Sequence, residues 1–313
     1  MRTFAQAWSE VKNPPDRFRS IRVVRWDAFA ALVKSERYYF VNTFVGSLMC
    51  GDAWLLKGAF PPEFMRDLIE KTIAWTRSRP GSFHKMLDGC PDFHRAIDLE
   101  TAKLYSIAAC KHSAYFFRWN DDPLGIWPAI TERWRVLKKA MGMKPDEYES
   151  NKPSDGPTDR IQVVRYPPDI GYLEPHRDAA ENQPCFISGY MSKRGVDYQG
   201  GGFYFVDEDG KARYAEDMIE VGDLCIGHAN LLHGVAPADR GKPVDWDSSD
   251  GRWFLGLYSN ESDYVQKRNT SQPIKVSVRG VLPDAVADAE FFDALREDEG
   301  KLLDRYFAAG GKQ

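Results

Sequence analysis

"RIQVVRYPPDIGYLEPHRDAAENQ", Arg160 to Gln183, decides how this chain reads. Its first part is a short β-type run that ends at Tyr166-Pro167-Pro168. Its second part holds His176 and Asp178 two residues apart. Residues i and i+2 of a strand share a face, so if "EPHRD" is extended these two side chains enter one cavity. The H-x-D pair alone says little. The chain has six histidines among many acidic residues, and one such spacing by chance is near an even bet.

The sequence that follows supplies context. "GGGFYFV" (200–206), "GDLCIGH" (222–228) and "RWFLGLYS" (252–259) are short β-type runs bounded by Gly, Pro and Asp. That spacing predicts an antiparallel barrel or sandwich over about residues 160–265. His233, in "NLLHGVAP", comes after the apolar run "GDLCIGHANLL" and is the natural third ligand. Two imidazoles and one carboxylate on one face of an octahedron leave three positions open, the arrangement of non-haem Fe(II) oxygenases. Arg252 opens a further strand. A strand-borne arginine facing a barrel interior needs an anion, and its fork suits a carboxylate; the bland alternatives are a surface arginine or a structural ion pair.

Taken in order, "VVRYPPDIGYLEPHRD", "GGGFYFVDEDG", "IEVGDLCIGHANLLHGVAP" and "GRWFLGLYS" resemble the core of the Fe(II)/2-oxoglutarate-dependent dioxygenases. The resemblance covers roughly residues 160 to 260. "AWLLKGAFPPEFMRDLIEKT" is similar to the strand-then-helix lead-in of many members. It implies a mainly β fold with flanking helices: a double-stranded β-helix (jelly roll) core with a helical N-terminal region and a C-terminal helix. It also implies iron ligands His176, Asp178 and His233, with Arg252 on the distal carboxylate of 2-oxoglutarate. Tyr166 takes the place of a tyrosine that hydrogen-bonds this cosubstrate in many members. Gly201 and Gly202 match a glycine pair that opens a core strand, where backbone geometry is their role. The implied cofactors are Fe(II), 2-oxoglutarate and O2. The implied chemistry is hydroxylation of an unactivated C–H bond with release of succinate and CO2; desaturation and ring formation depend on substrate pose.

Two departures stand out. Some members carry R-x-S on the arginine strand, where this chain has Arg252-Trp253-Phe254. The connection "ADRGKPVDWDSSDG" (238–251) is longer than usual and makes Arg240 a competitor for the arginine role. His228, five residues before His233, would face away from it on a continuous strand. His84, His94 and His112 lie outside the motif region.

The remaining sequence reads as one domain over residues 1–313, with a helical elaboration carrying some strand over 1–150. "GDAWLLKGAF" (51–60) predicts a strand. "PPEFMRDLIEKTIAWTRSRP" (61–80) predicts a helix with Phe64, Leu68, Ile69 and Ile73 on its apolar face. "PAITERWRVLKKAMG" (128–142) predicts another, burying Ile130, Trp134, Leu137 and Met141. "KPDEYESNKPSDGPTD" (144–159) reads as a linker or exposed loop. The tail 284–307 reads as a helix burying Phe291, Leu295, Leu302 and Phe307. The loop 179–199 and the aromatic "YFFRW" (115–119) are candidates for a pocket mouth, although core packing suits the aromatics better. Lys193 and Arg194 are candidate contacts for an anionic group.

At 43% hydrophobic and 28% charged, the composition is that of a soluble globular protein. A net charge of −4 gives no electrostatic reason to expect nucleic acid. The second arginine of demethylase-type relatives is also absent, Tyr258 standing at its place. Five scattered cysteines without C-x-x-C fit a reducing compartment, and no stretch has signal-peptide or membrane-span character, so a cytoplasmic location is expected. The expected partner is a small-molecule substrate such as an amino acid or biosynthetic intermediate; the sequence is silent on oligomeric state. The competing functions are a protein side-chain hydroxylase, for example of proline, and a non-catalytic jelly-roll binding module.

Overall fold

The computed structural model describes residues 2–102, 107–274, 278–279 and 281. The N-terminal part holds helices α1 (Phe4–Ser9), α2 (Trp26–Ser35), α3 (Tyr38–Met49), α4 (Pro62–Arg77), α5 (Leu99–Ala102) and α6 (Trp127–Ala140). Strands β1 (Ser20–Arg25), β2 (Asp52–Lys57), β3 (Phe93–Ile97) and β4 (Ala109–Phe117) are interleaved with them. From Thr158 the chain turns to strand: β5 (Thr158–Tyr166), β6 (Tyr172–Arg177), β7 (Cys185–Tyr190), β8 (Gly202–Val206) and β9 (Ala212–Tyr214). Then come β10 (Leu224–His228), β11 (His233–Ala236), β12 (Arg252–Asn260) and the short β13 (Gln272–Pro273).

Strand order shows the fold directly. One sheet runs β10-β7-β12-β5 and the other β6-β11-β8-β9, all by antiparallel pairing. Apart from the β8–β9 hairpin, the chain crosses from one sheet to the other at each step from β5 to β12. That is a jelly roll. The N-terminal strands extend it: β2 pairs antiparallel with β10, β1 runs parallel to β2, and β4 lies beside β5. β4 joins the two sheets, because His112–Phe117 pair with β5 while Ala109 and Cys110 pair with β6.

Both faces of the larger sheet are covered, which is why β5 and β12 are buried along almost their whole length and do not alternate between buried and exposed. Outside, Ile161, Val163, Ile187, Ile226, Leu255 and Leu257 pack against α3, α4 and α6 in the largest core cluster. Inside, Tyr166, Phe186, Phe203, Phe205, Val235 and Phe254 fill the barrel.

The helices hold their expected places, with one shift. α6 buries Ile130, Trp134 and Leu137, and Met141 follows it at 2% exposure. The face of α4 is centred on Met65, Leu68, Thr72 and Trp75, leaving Phe64, Ile69 and Ile73 only half-buried. Trp75 at the far end outweighs the isoleucines in area, so the helix turns toward it.

Two expectations need correction. Residues 179–199 are not a continuous loop: Cys185–Tyr190 form β7, the strand at the centre of the larger sheet. Ser188 and Gly189 hid it. The segment 144–159 is no spacer, since Glu149 pairs with Arg118 and Arg135 and Thr158 already belongs to β5. The helix expected over 284–307, with Phe291, Leu295, Leu302 and Phe307, lies outside the described residues. Among the described residues no helix is long and apolar enough to cross a membrane.

Candidate active site

β6 and β11 are neighbours in the smaller sheet, and their register sets His233 opposite His176. Asp178 lies just beyond the end of β6, held there by its backbone N–H donating to the carbonyl of Ala229 at 2.9 Å. Donor atoms of His176, Asp178 and His233 all lie within 4.8 Å of one another. His176 Nε2 is 3.5 Å from Asp178 Oδ1, and His233 Nε2 is 3.7 Å from Asp178 Oδ2. The imidazole centroids are 4.3 Å apart.

The outer nitrogens fix the tautomers. His176 Nδ1 is 2.8 Å from the carbonyl of Glu174, and His233 Nδ1 is 2.8 Å from that of Leu231. A carbonyl only accepts, so each Nδ1 carries the proton and each Nε2 turns a lone pair inward. Burial, and then the neighbouring His176, push the His233 pKa down to about 4, which keeps this imidazole neutral. Burial acts to raise Asp178, but the two histidines and a 2.6 Å hydrogen bond from Ser271 Oγ hold it well below the usual carboxylate range. Two Nε2 atoms and a carboxylate thus converge in a buried space. That donor set repels itself unless a cation stands at its centre, and two imidazoles with one carboxylate suit Fe(II).

Arg252 and Tyr166 face each other across the β12–β5 pairing, and both side chains enter the barrel. The cavity they share with the triad is also lined by Phe186, Ser188, Phe203, Val235, Phe254 and Tyr258. The Tyr166 hydroxyl is buried without a partner among the described residues. Arg252 is 2% exposed and donates through Nε to Glu216 Oε1 at 2.8 Å. Glu216 also accepts from the Tyr198 hydroxyl and from Phe203 N–H, both at 2.6 Å. No motif named this buried carboxylate, which sits in a single 3-10 turn. The glycine pair offers its trace: a Cβ on Gly202 (φ +98°) would stand 2.8 Å from the Glu216 side chain. Gly201 (φ +49°) similarly leaves room for the carbonyl of Pro237.

The other candidates separate cleanly. Arg240 lies in a turn and pairs with Asp169 at 2.8 Å. Lys193 and Arg194 are bound to Glu220 and Asp217. His228 closes β10 while His233 opens β11, so the two stand on different sheets and not on one strand. His228 Nδ1 accepts from Asn230 N–H at 3.1 Å, a structural contact. "YFFRW" runs off the end of β4, with Phe116 packed in the outer core and Tyr115 stacked on Phe93.

A cluster missed by the sequence reading lies near Asp178. The Arg160 guanidinium lies 5.4 Å from the Tyr115 ring and 5.3 Å from that of Tyr258, and Arg95 lies 5.6 Å from Tyr115. Burial depresses the pKa of Lys111, which sits in the fields of Tyr115, Arg95, Arg160 and Asp178. The cluster draws on β3, β4, β5 and β12, which is why no motif announces it.

No protein-family model matches the chain. One curated protein, Protein S100-A7-like 2 from Homo sapiens, is 38% identical over 63 residues, 20% of this chain. The match spans 61% of that protein's length. Among solved structures, the chain is similar to a Pseudomonas putida prolyl-4-hydroxylase at 11% identity and a TM-score of 0.41 over 66% of this chain and 91% of that one. It is also similar to a Neurospora crassa protein in complex with alpha-KG and thymine, at 12% identity and 0.46, over 79% and 87%. A third is JOX2 in complex with 2OG, Fe and JA, at 13% and 0.43, over 98% and 94%. With likeness this low, the chemistry assigned to the site rests on its own residues.

Proposed function

We propose that this chain is a Fe(II)/2-oxoglutarate-dependent dioxygenase that hydroxylates an unactivated C–H bond of a small, carboxylate-bearing molecule, such as an amino acid or biosynthetic intermediate. The observation that carries the reading is the convergence of His176 Nε2, His233 Nε2 and the Asp178 carboxylate, with both Nδ1 positions committed to backbone carbonyls. These three residues would hold the iron. Bound Fe(II) supplies activation of dioxygen, coupled to conversion of 2-oxoglutarate into succinate and CO2 and to oxidation of the substrate C–H bond.

This chain's residues contribute orientation and a dry wall. Glu216 takes the Nε–H of Arg252, which leaves the Nη edge of the fork for the distal carboxylate of 2-oxoglutarate. The unpartnered Tyr166 hydroxyl offers that carboxylate a second donor. Phe186, Phe203, Val235 and Phe254 exclude water around the triad. Near Asp178, Arg95 and Arg160 supply positive charge, and Tyr115 and Tyr258 supply flat apolar surface. An anionic small molecule matches that wall in charge. A reducing cytoplasm suits the five free cysteines, four of them buried.

The test is an anaerobic titration of iron-free protein with Fe(II) and 2-oxoglutarate, following the visible charge-transfer band of the chelate. The band is expected in the wild type and absent in His176→Ala. A flat spectrum from folded wild-type protein overturns the reading and leaves a jelly-roll binding module. Once the band is seen, succinate release is measured with candidate acids and their methyl esters, the acids being the expected substrates.

A further inference from the structure

β5 and β12 place a second arginine on the opposite side of the same sheet. Their register pairs Trp253 with Arg165, one residue along from the Arg252–Tyr166 pair, and successive strand residues face opposite ways. Arg165 therefore points away from the barrel, into a cavity of about 270 Å³ behind the larger sheet. Thr72, Ile73 and Thr76 of α4 form one wall, with Arg77 and Arg79 at the rim. Trp246, Asp247 and Ser248 form the cover, and they belong to the long 238–251 connection that the iron site leaves without a role.

Arg165 is 1% exposed. Its Nη2 donates to the carbonyl of Asp245 at 2.8 Å, while Nε and Nη1 have no hydrogen-bond partner among the described residues. Among those residues no carboxylate lies within ion-pair distance of it; the nearby Asp245, Asp247 and Asp250 are exposed on the cover and act only at longer range. Thr72 Oγ1 is a second buried group with no partner there. Beside them His94 Nδ1 and His112 Nε2 are 2.9 Å apart, and His94 Nε2 is 3.1 Å from the carbonyl of Arg79. The carbonyl requires the proton on His94 Nε2, so His112 donates to His94 Nδ1 and the pair is satisfied as neutral rings. Burial, then His94 and Arg165, push the His112 pKa down to about 4. The rim arginines are held in place, Arg77 on the carbonyl of Asp247 and Arg79 against the Trp75 ring at 4.0 Å.

A buried guanidinium without a counter-charge is costly, and the site has room for one. We propose that this cavity binds a phosphoryl group, with Arg165 as its buried anchor and Arg77, Arg79 and Thr72 as further donors. Three guanidinium groups against the one exposed carboxylate in the lining, Asp247, match a dianion better than a single carboxylate. The volume exceeds that of a phosphate ion, so a phosphate monoester fits as well as the free ion. Because Trp253 and Arg252 are consecutive, a ligand here sits on the back of the strand that presents Arg252 to the barrel.

The experiment is calorimetric titration of the full-length, iron-free protein in chloride buffer, one arm with inorganic phosphate and one with glycerol 1-phosphate. One site per chain is expected in at least one arm, and the stronger arm identifies the source of the phosphoryl group. Arg165→Met is expected to weaken that binding at least tenfold. Arg77→Ala, at the exposed rim, is expected to weaken it several-fold and carries the test if the buried variant does not fold. Arg160→Met, beside Tyr258, is expected to leave it unchanged. No heat in either arm, binding unaltered in both Arg165→Met and Arg77→Ala, or binding lost in Arg160→Met alone overturns the proposal.

Discussion

The two faces of the larger sheet solve one problem in opposite ways. Arg252 and Arg165 sit on adjacent strands and are almost wholly buried, at 2% and 1% exposure. On the inner face Arg252 has an internal carboxylate, Glu216, which is itself held by Tyr198 and the Phe203 amide. On the outer face Arg165 has one backbone carbonyl and an open cavity. The inner arginine is part of the folded framework before any ligand arrives. The outer one has no carboxylate in contact, only the longer-range fields of Asp245, Asp247 and Asp250, and a buried charge so thinly matched favours an anion in the cavity beside it.

The largest effect is expected at the inner face. His176→Ala or His233→Ala should lower Fe(II) affinity by more than about a hundredfold, since changes merely supporting a ligand already cost about 10- to 100-fold. Metal content after equilibration with a calibrated Fe(II) buffer measures this directly. Residual stoichiometric iron in either variant would mean that the triad is not the metal site.

The two arginines can then be set against each other by urea denaturation in phosphate-free buffer. Arg252→Met strands Glu216 without its cation and should cost about 3–5 kcal/mol. Arg165→Met removes a charge that has no carboxylate and should be neutral or stabilising by about 1 kcal/mol. Equal losses would show that Arg165 has a counter-charge in solution and would erase the contrast between the faces.

Acid should act on both faces in the same direction. His233, His112 and His228 all have folded pKa values pushed down to about 4, mainly by burial. A histidine depressed in the native state is protonated first in the unfolded chain, whose imidazoles titrate near ~6.5. Stability is therefore complete above pH ~6.5 and is lost toward pH ~4, at up to ~1.4 kcal/mol per pH unit for each histidine. Asp178, depressed as a carboxylate, begins to lose its contribution only below its ordinary range near pH ~4. Saturating Fe(II) keeps His233 unprotonated in the native state, so its share of the slope should continue below pH ~4, where those of His112 and His228 level off, as read from denaturation midpoints across the range.

Within the iron site the smallest effect is expected from Ser271→Ala. Loss of the 2.6 Å hydrogen bond to Asp178 should weaken Fe(II) binding roughly tenfold, about 1.4 kcal/mol, without unfolding the protein. An unchanged affinity would mean that Asp178 is oriented by its backbone alone.

Much of the inner face was legible in the sequence because it is written in short local patterns. The i, i+2 spacing in "EPHRD", the run "RIQVVRY" and the position of His233 after an apolar stretch each lie within one strand and its turn. Glu216, Ser271 and the Arg95–Lys111–Arg160 cluster were not legible, because each acquires its role from strands distant in sequence. β7 was missed for a different reason. Its Ser188-Gly189 pair breaks the apolar run, yet Ser188 lines the barrel cavity and Gly189 meets Leu255, Leu224 and Met65 within 3.4 Å of where its Cβ would be. A glycine there serves close packing, which local propensity does not register.

The pairing of β2 with β10 sets an order of events during synthesis. Trp54, Leu55 and Leu56 pair with Ile226, Cys225 and Leu224, so β2 leaves the ribosome long before its antiparallel neighbour exists. Until then its open edge is backed only by β1 and the early helices. It is a strand with unpaired amides and buried-type side chains. Chains that stop before Leu224 keep that edge permanently. They are the fragments on which chaperones would be expected to linger, and from which aggregation of this protein would begin.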